Sequence, residues 1–234
     1  WWDLGFLLVL LLLGATMTVE ITPRFSDSDI LTILDRDYNL AGKLKALPGY
    51  CDQNLILSTN DGQRFIVKVA NSAEPKLELE MQNAAMEHLT DKRCAVPEVC
   101  KNIQGQSIVD VKDEHGQVFF LRVLSFLPGQ FYADADTLTH NENLWSDLGA
   151  FVANIDNALK DFEHSGAYRY LDWDLAQGYR VCMSKKRLLE EHQRTLVEKF
   201  LSLYQTQTMP LLAQLPQSVI HNDANDYNLL VDDI

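Results

Sequence analysis

The sequence predicts an α+β fold, with a five-stranded antiparallel sheet and one helix followed by an incomplete, mostly helical second part. Residues 53–58 and 64–70 are rich in branched side chains and are joined by Asp61-Gly62, a pattern typical of a β-hairpin. Residues 76–89 carry apolar side chains at helical spacing. In the second half of the chain, apolar residues recur every three or four positions, which favours helices.

Two further segments give the last strands of the predicted sheet and the linker that follows them. Residues 107–111 and 118–124 predict a second hairpin around Gly116. Pro128-Gly129 then ends the last strand and opens a linker. We therefore place the boundary between the two parts of the domain here, with residues 17–125 before it and residues 126–234 after it.

The second part is predicted to be helical. An apolar stripe runs along residues 144–159 and predicts a helix that packs into a core. Its members are Leu144, Leu148, Phe151, Val152, Ile155 and Leu159. Residues 179–203 predict either one long helix or two shorter ones.

Residues 221–228, with the sequence HNDANDYN, are the strongest functional pattern in the chain. They lie between two apolar runs, residues 218–220 and 229–231, which we interpret as strands. Asp223 is followed five positions later by Asn228. Kinases use this spacing, because the Asp accepts the proton of the substrate hydroxyl while the Asn holds a Mg²⁺ on the nucleotide phosphates. The pattern predicts Asp223 as a catalytic residue and Asn228 as a metal ligand.

The same residues have other interpretations. A calcium loop is excluded, because Tyr227 and Asn228 stand where such a loop needs an oxygen ligand and a glycine. A zinc site is disfavoured, because it needs further His or Cys at close spacing and only His221 is present. A polar turn between two strands, with no chemistry, stays open.

Lys68 is a single basic residue inside the apolar stretch at residues 65–70. A buried ammonium is costly unless it is paired, so Lys68 needs an anionic partner if it faces inward. The alternative is a lysine on an edge strand that points to water. The helix at residues 76–89 could supply the partner, as the Lys–Glu pair of kinases does. We choose Glu80 for this role, then Glu78, and then the uncharged Gln82.

Two backbone segments are candidates for contacts with a nucleotide. Residues 47–54 form the turn between a first strand, the fifth of the predicted sheet, and the strand at residues 53–58. The turn contains the single glycine Gly49 and can offer backbone N–H groups to phosphates. Residues 125–129 lie where a kinase has its hinge. There the backbone at Ser125 and Leu127 would face the adenine.

Charge and composition limit the classes of partner. Lys and Arg total 20 against 33 for Asp and Glu, which gives a formal charge of −13 and argues against nucleic acid. A negative field favours a cationic small-molecule acceptor. The four cysteines form no C-x-x-C pair, which indicates reduced thiols and a cytoplasmic protein.

The first residues are predicted to lie outside the domain. The apolar run at residues 4–13 is too short to span a bilayer, and no Lys or Arg precedes it as in a secretory signal. Met17 is a credible start for a cytosolic protein. We therefore expect residues 1–16 to be an apolar lead rather than part of the fold.

Several ordered motifs across residues 25–234 together resemble the aminoglycoside phosphotransferase and choline kinase family. The motifs are LPGY at 47–50, DQN at 52–54, VKVA at 67–70, EMQNAA at 80–85, LRVL at 121–124, LPG at 127–129, Tyr170 with WDL at 173–175, and residues 221–228. The resemblance is greatest to the hydroxylysine kinase type, including domains that precede a class III aminotransferase.

The resemblance implies a protein-kinase-like fold, ATP or GTP as phosphoryl donor, Mg²⁺, and a hydroxyl acceptor on an amino-alcohol or hydroxylated amino acid such as hydroxylysine. Lys68 would clamp the phosphates. A nucleotide-binding or docking module without catalysis, ahead of an aminotransferase, is the competing hypothesis.

The chain departs from the family pattern at two places. Asn222 stands where the family usually has a glycine. The family also continues to an Asp, the principal Mg²⁺ ligand, beyond the position where this chain ends at Ile234, and Asp232 lies too close to Asn228 to replace it. We therefore expect these 234 residues to bind nucleotide weakly and not to turn over.

Overall fold

The computed structural model describes residues 22–49, 51–135 and 142–232, so the predicted lead at residues 1–16 lies outside the described residues. The elements are α1 Asp27–Tyr38, β1 Gly42–Leu47, β2 Gln53–Thr59, β3 Arg64–Val69, α2 Lys76–Asp91, β4 Val99–Cys100, β5 Val109–Lys112, β6 Val118–Ser125, β7 Gln130–Phe131, α3 Glu142–Ala158, α4 Gly178–Lys185, α5 Glu191–Leu203, α6 Met209–Leu212 and β8 Leu230–Val231. The predicted α+β class is confirmed. Within the described ranges, no helix is long and apolar enough to cross a bilayer.

The main sheet is antiparallel and has the strand order β1-β2-β3-β6-β4, with β5 also paired to β6. β4 and β5 lie one after the other along the same edge of β6, since Val99 pairs with Leu124 and Val109 with Leu121. The sheet is therefore five positions wide, although it contains six strands. The sequence-based count of five missed β4, because two residues are too few to show a strand period.

The helix α1 covers one face of the sheet and was not predicted from the sequence. Ser26 and Asp29 form a capping box at its start, in which each side chain bonds the backbone N–H of the other residue. Ile30 and Leu34 are fully buried and pack with the strand residues that point to this face. The Ser26–Asp29 spacing ahead of an apolar stripe was the signal that could have identified this helix.

The helix α2 covers the opposite face, and its residues meet successive rows of the sheet. Near the hinge end, Met86 packs on Ile66 and Leu124. Toward the start of the helix, Leu79 packs with Ala70, Ile108 and Phe120. The row of the sheet between these two apolar contacts is polar and belongs to the candidate site.

The helix α2 also packs on the second part of the chain. An apolar cluster joins the two, formed by Met81, Ala85, Leu89, Val96, Ile155, Leu159 and Phe162. Polar contacts supplement it near both ends of the helix. Glu78 forms a largely buried ion pair with Arg169. Asp161 accepts from Lys92 Nζ at 2.8 Å and lies 3.1 Å from His88 Nε2.

The second part agrees only in part with the sequence-based prediction. In the stripe on α3 and the turn that follows, only Ile155 and Leu159 are fully buried, and the other members are half-buried. The stretch near residues 179–203 forms two helices, α4 and α5, which is the second of the two predicted alternatives. Residues 218–220 are not a strand, whereas the run at 229–231 contains β8, which pairs with β7.

Gly129 is required where β7 meets β8. Its φ is +123°, and a Cβ there would lie 3.0 Å from Val231 O and 3.2 Å from Leu230 Cβ. The Pro-Gly sequence after β6 therefore ends the strand and also permits the close approach of residues 230–231 to the hinge.

We expect Gly129→Ala to destabilise the fold by about 1–3 kcal/mol, because the residue would combine backbone strain with contact to β8. Gly116→Ala is the matched control, since Gly116 also has positive φ (+80°) but its Cβ would meet no atom within 4 Å. Chemical denaturation measures both. A loss for Gly129→Ala no larger than for Gly116→Ala would contradict the role of β8.

Candidate active site

The loop at residues 221–228 is held in shape by the amides of two asparagines. Asn225 Nδ2 donates to Asp223 Oδ1 at 2.8 Å, and Asn228 Nδ2 donates to Asp223 Oδ2 at 2.8 Å and to its backbone O at 2.9 Å. Each carboxylate oxygen keeps lone pairs for another donor, since a carboxylate offers about four acceptor positions. Asp223 is thus fixed in orientation and can still accept a hydroxyl.

The backbone at Asn222 explains one departure from the family pattern. Its φ is +62°, in the left-handed region. Glycine takes this conformation without a steric cost, and Asn is among the few other residues that adopt it readily. Asn222 therefore replaces the usual glycine without changing the turn before Asp223.

His221 anchors the start of the loop in the protein interior. The side chain is 4% exposed, and the backbone N–H donates to Asp156 Oδ1 of α3 at 3.3 Å. Burial lowers the pKa of His221 below its ordinary value near 6.5, and the carboxylates of Asp223 and Asp156 oppose this shift. The neutral imidazole is the form that the fold favours.

Three buried polar residues form a row across the sheet beneath α2. Asn54, Lys68 and Arg122 are register partners on β2, β3 and β6, so their side chains share one face. Each is at most 5% exposed. The alternative of an edge-strand lysine in water is excluded, because β3 lies between β2 and β6 and the Lys68 side chain is buried.

The proposed pairing of Lys68 with Glu80 needs correction. Glu80 is exposed, whereas Glu78 and Gln82 lie on the inner side of α2. At about 100° per residue, position 80 points away from both. The carboxylate of α2 on the inner side is Glu78, our second choice, and it pairs with Arg169 of the helical part.

The turn before β2 packs closely on Asn54. A Cβ on Gly49 would lie 2.7 Å from Asn54 Nδ2 and 2.5 Å from Asp52 O, so only glycine fits without a shift. Asn54 Oδ1 is buried and has no hydrogen-bond partner among the described residues. The predicted phosphate turn thus lies directly over the polar row that contains Lys68.

The hinge residues have different environments. The Ser125 N–H donates to Glu98 O at 2.9 Å, and Ser125 Oγ accepts from the Glu98 N–H at 2.8 Å. The backbone N–H of Ser125 is therefore committed to the protein and is not available to a base. Leu127 instead borders a cavity.

This cavity of about 380 Å³ lies between the hinge residues and the loop at residues 221–228. Its lining is formed by Ala95, Val96, Pro97, Leu127, Pro128, Phe151, Ile155, His221, Asn228, Leu229, Leu230 and Asp232. The structure thus brings two predicted site residues, Leu127 and Asn228, to one cavity. Lys68, Gly49 and Ser125 do not contribute to its lining.

Asn228 is suited to one cation contact. Because its Nδ2 is bonded to Asp223, the Oδ1 lies on the other side of the amide, and amide oxygens are ligands for hard cations. Over the described residues, no group of three His, Cys, Asp or Glu forms a metal cluster. The residues present fit a Mg²⁺ that is held mainly by nucleotide phosphates, with Asn228 as one protein ligand.

The family model for the "Phosphotransferase enzyme family" (APH) matches residues 43–234. The chain belongs to this phosphotransferase family. All the predicted site residues, from Gly49 to Asn228, lie within the matched range. The resemblance inferred from the ordered motifs is confirmed at the level of the family.

Named relatives of this chain are small-molecule kinases. The hydroxylysine kinase of Danio rerio is 28% identical over 225 residues, which cover 92% of this chain and 62% of that protein. The chain thus spans about three-fifths of the length of this curated relative. The amicoumacin kinase of Bacillus subtilis is 24% identical over 175 residues, which cover 72% of this chain and 48% of that protein.

The fold is shared with a solved aminopropanol kinase associated with a microcompartment. It matches with a TM-score of 0.67 at 16% identity, over 88% of this chain and 65% of that chain. At this level of identity the match shows the fold alone.

Several residues around the candidate site were not predicted from the sequence. Arg122 received no role of its own, although it is a lone basic residue in an apolar strand, the same signal that identified Lys68. The Glu78–Arg169 pair had no signal, because its partners are 91 positions apart. Asn54 had none either, because its burial depends on the turn above it.

The lowered pKa of His221 makes the stability of this protein depend on pH. The unfolded chain binds the imidazole proton more tightly than the folded chain does. The contribution of His221 to stability is therefore fully present above about pH 6.5 and falls as the pH drops below that value.

We expect the thermal unfolding midpoint to fall less between pH 7 and pH 5 for His221→Gln than for the unmodified chain. His115→Gln, at an exposed position, should leave the profile unchanged, and a profile insensitive to His221→Gln would contradict this assignment.

We expect Asn54→Leu to stabilise the protein by about 1 kcal/mol, because it removes a buried acceptor that lacks a partner. Asn102→Leu is the control with the opposite sign. Asn102 is similarly buried, but its Oδ1 accepts from the backbone N–H groups of Gln104 and Gln106. Its replacement should cost about 1–3 kcal/mol. Chemical denaturation of both variants measures the difference, and a loss for Asn54→Leu as large as for Asn102→Leu would show that the Asn54 amide is satisfied.

Proposed function

We propose that the protein transfers the γ-phosphoryl group of ATP or GTP to a hydroxyl of a small cationic acceptor in the cytoplasm. The acceptor class is an amino-alcohol or hydroxylated amino acid, with hydroxylysine as the leading candidate. The sheet and α2, up to Ser125, form the nucleotide-facing lobe, and the residues after it form the acceptor-facing lobe.

The observation that carries the proposal is the geometry of Asp223. Asn225 and Asn228 each bond one of its carboxylate oxygens and leave lone pairs for a hydroxyl donor. Phosphoryl transfer depends chiefly on positioning and electrostatic stabilisation. The protein therefore needs a carboxylate that is fixed in place and can accept the proton of the substrate hydroxyl. Asp223 orients the acceptor hydroxyl and takes its proton as the oxygen attacks phosphorus.

The proposed nucleotide site uses residues from both sides of the hinge. Lys68 binds the phosphates, beneath the turn at Gly49. Leu127 and Leu230, on the side proposed for the base, and Asn228, on the side proposed for the phosphates, border one cavity. A Mg²⁺ held there by the phosphates and Asn228 Oδ1 would neutralise charge on the transferred group. The inner carboxylate of α2, Glu78, takes the orienting role that we first gave to Glu80.

The acceptor class is supported by charge and by the relatives. A formal charge of −13 raises the local concentration of cationic solutes. Two relatives are named as kinases of hydroxylysine and of aminopropanol, and both compounds bear an amine. These two compounds are therefore the first acceptors to assay with this chain.

We expect Asp223→Asn to reduce acceptor-dependent transfer of radiolabelled γ-phosphate by about 10²–10⁴-fold and to leave Mg·ATP affinity within about twofold. The variant keeps the size of the side chain and removes the proton acceptor. Asp226→Asn is the matched control, since Asp226 is an exposed carboxylate of the same loop. Long incubations at high enzyme concentration keep slow transfer measurable.

Three outcomes of this assay discriminate the hypotheses. Equal loss of transfer and of nucleotide affinity in Asp223→Asn would contradict its role as base. Nucleotide binding with no transfer to any hydroxylated amine would favour a binding module. Absence of nucleotide binding by the unmodified chain would refute the proposed nucleotide site.

A further inference from the structure

Arg122, at the centre of the sheet, donates hydrogen bonds to two neighbouring residues of α2. Its Nη1 donates to Gln82 Oε1 at 2.8 Å and to Asn83 Oδ1 at 3.1 Å. All three side chains are at most 3% exposed. One guanidinium therefore fixes both the height and the rotation of the helix above the sheet.

The two amides are themselves oriented by the protein. Asn83 Nδ2 donates to Ser107 O at 3.3 Å, and Gln82 Nε2 lies 3.5 Å from Glu74 Oε1. These contacts turn both amide oxygens toward Arg122. The attachment of Arg122 to α2 therefore rests on two oriented amides and not on a single contact.

Arg122 lies beside Lys68 on the next strand. The two are register partners, so their Cβ atoms are about 4.5–5.5 Å apart and their side chains leave the sheet on the same face. The rows on either side are apolar and packed by Met86 and Leu79 of α2. A shift of α2 or of Arg122 would therefore displace the surroundings of Lys68 directly.

The charged side chains of this row are both cationic. Lys68 and Arg122 lie on the same buried face, and Gln82 and Asn83 orient the guanidinium. Lys and Arg are the residues that bind phosphate in proteins, so the row is suited to phosphates.

We propose that Arg122 is a positioning residue of the nucleotide site: through Gln82 and Asn83 it holds α2 in place and so keeps the Lys68 ammonium in position for the phosphates. This inference rests on the proposed function. A purely structural Arg122, which only ties helix to sheet, is the alternative that an experiment must separate.

The test measures the affinity for Mg·ATP by titration with a fluorescent ATP analogue, together with the thermal unfolding midpoint of each variant. Arg122→Lys keeps the charge and removes the planar fork, and Gln82→Leu removes one acceptor at similar volume. We expect each to weaken the affinity about tenfold at temperatures where the variant is folded. Lys76→Met is the control, because it removes an exposed contact between α2 and β5, the Lys76–Asp110 pair, and should change the affinity less than about twofold.

A double-mutant cycle with Lys68→Met provides the decisive readout. If Arg122 acts through Lys68, Arg122→Lys should have little further effect on affinity once Lys68 is absent. Additive losses in the cycle, or unchanged affinity in Arg122→Lys and Gln82→Leu, would overturn the inference while leaving the proposed function intact. If the unmodified chain binds no Mg·ATP, the proposed function fails, and this inference fails with it.

Discussion

The burial of a basic row between two apolar rows of the sheet is the constraint on which the rest of the site depends. Lys68 and Arg122 are almost inaccessible to water, and a buried charge is stable only with well-placed partners. The helix α2 supplies Gln82 and Asn83 as partners of Arg122, and its Met86 and Leu79 pack on the apolar rows on either side. The position of α2 is therefore set by polar chemistry as much as by apolar packing.

The loop around Asp223 follows a different logic. The hydrogen bonds of the Asp223 carboxylate are local, within five residues, and they require only the amides of Asn225 and Asn228, next to the left-handed backbone of Asn222. Such a loop keeps its internal shape with little help from distant residues. Its placement against the hinge comes instead from the short β7–β8 pairing and from the contact of His221 with α3. Shape and placement are thus determined separately.

Features with local causes could be predicted from the sequence. The β2–β3 hairpin, α2 and the 223–228 pattern each follow from spacing or turn chemistry within about fifteen residues. The predictions were wrong or incomplete where the cause is non-local. Glu80 was chosen over Glu78 because the phase of α2 depends on which face meets Arg122, and that is decided by residues 40 positions away. Residues 218–220 failed as a strand because a strand needs a partner.

The helix α1 is an exception to this division, because its capping box was visible in the sequence. Arg122 is another, since a lone basic residue in an apolar strand is a local signal. Neither signal points to a chemical role by itself, since a capped helix and a buried base occur in many folds without catalysis. The lobe boundary after Ser125 stays a prediction.

The contacts of α2 with the helical part have a mechanical consequence. Glu78–Arg169 and Lys92–Asp161 are separated by 14 residues of the chain, or about 21 Å along a helix. A helix held by ion pairs near both ends resists rotation relative to its neighbours better than a helix held only at its middle. Rotation of the sheet relative to the helical part would therefore have to break one of these pairs or the Arg122 contacts that hold α2 on the sheet.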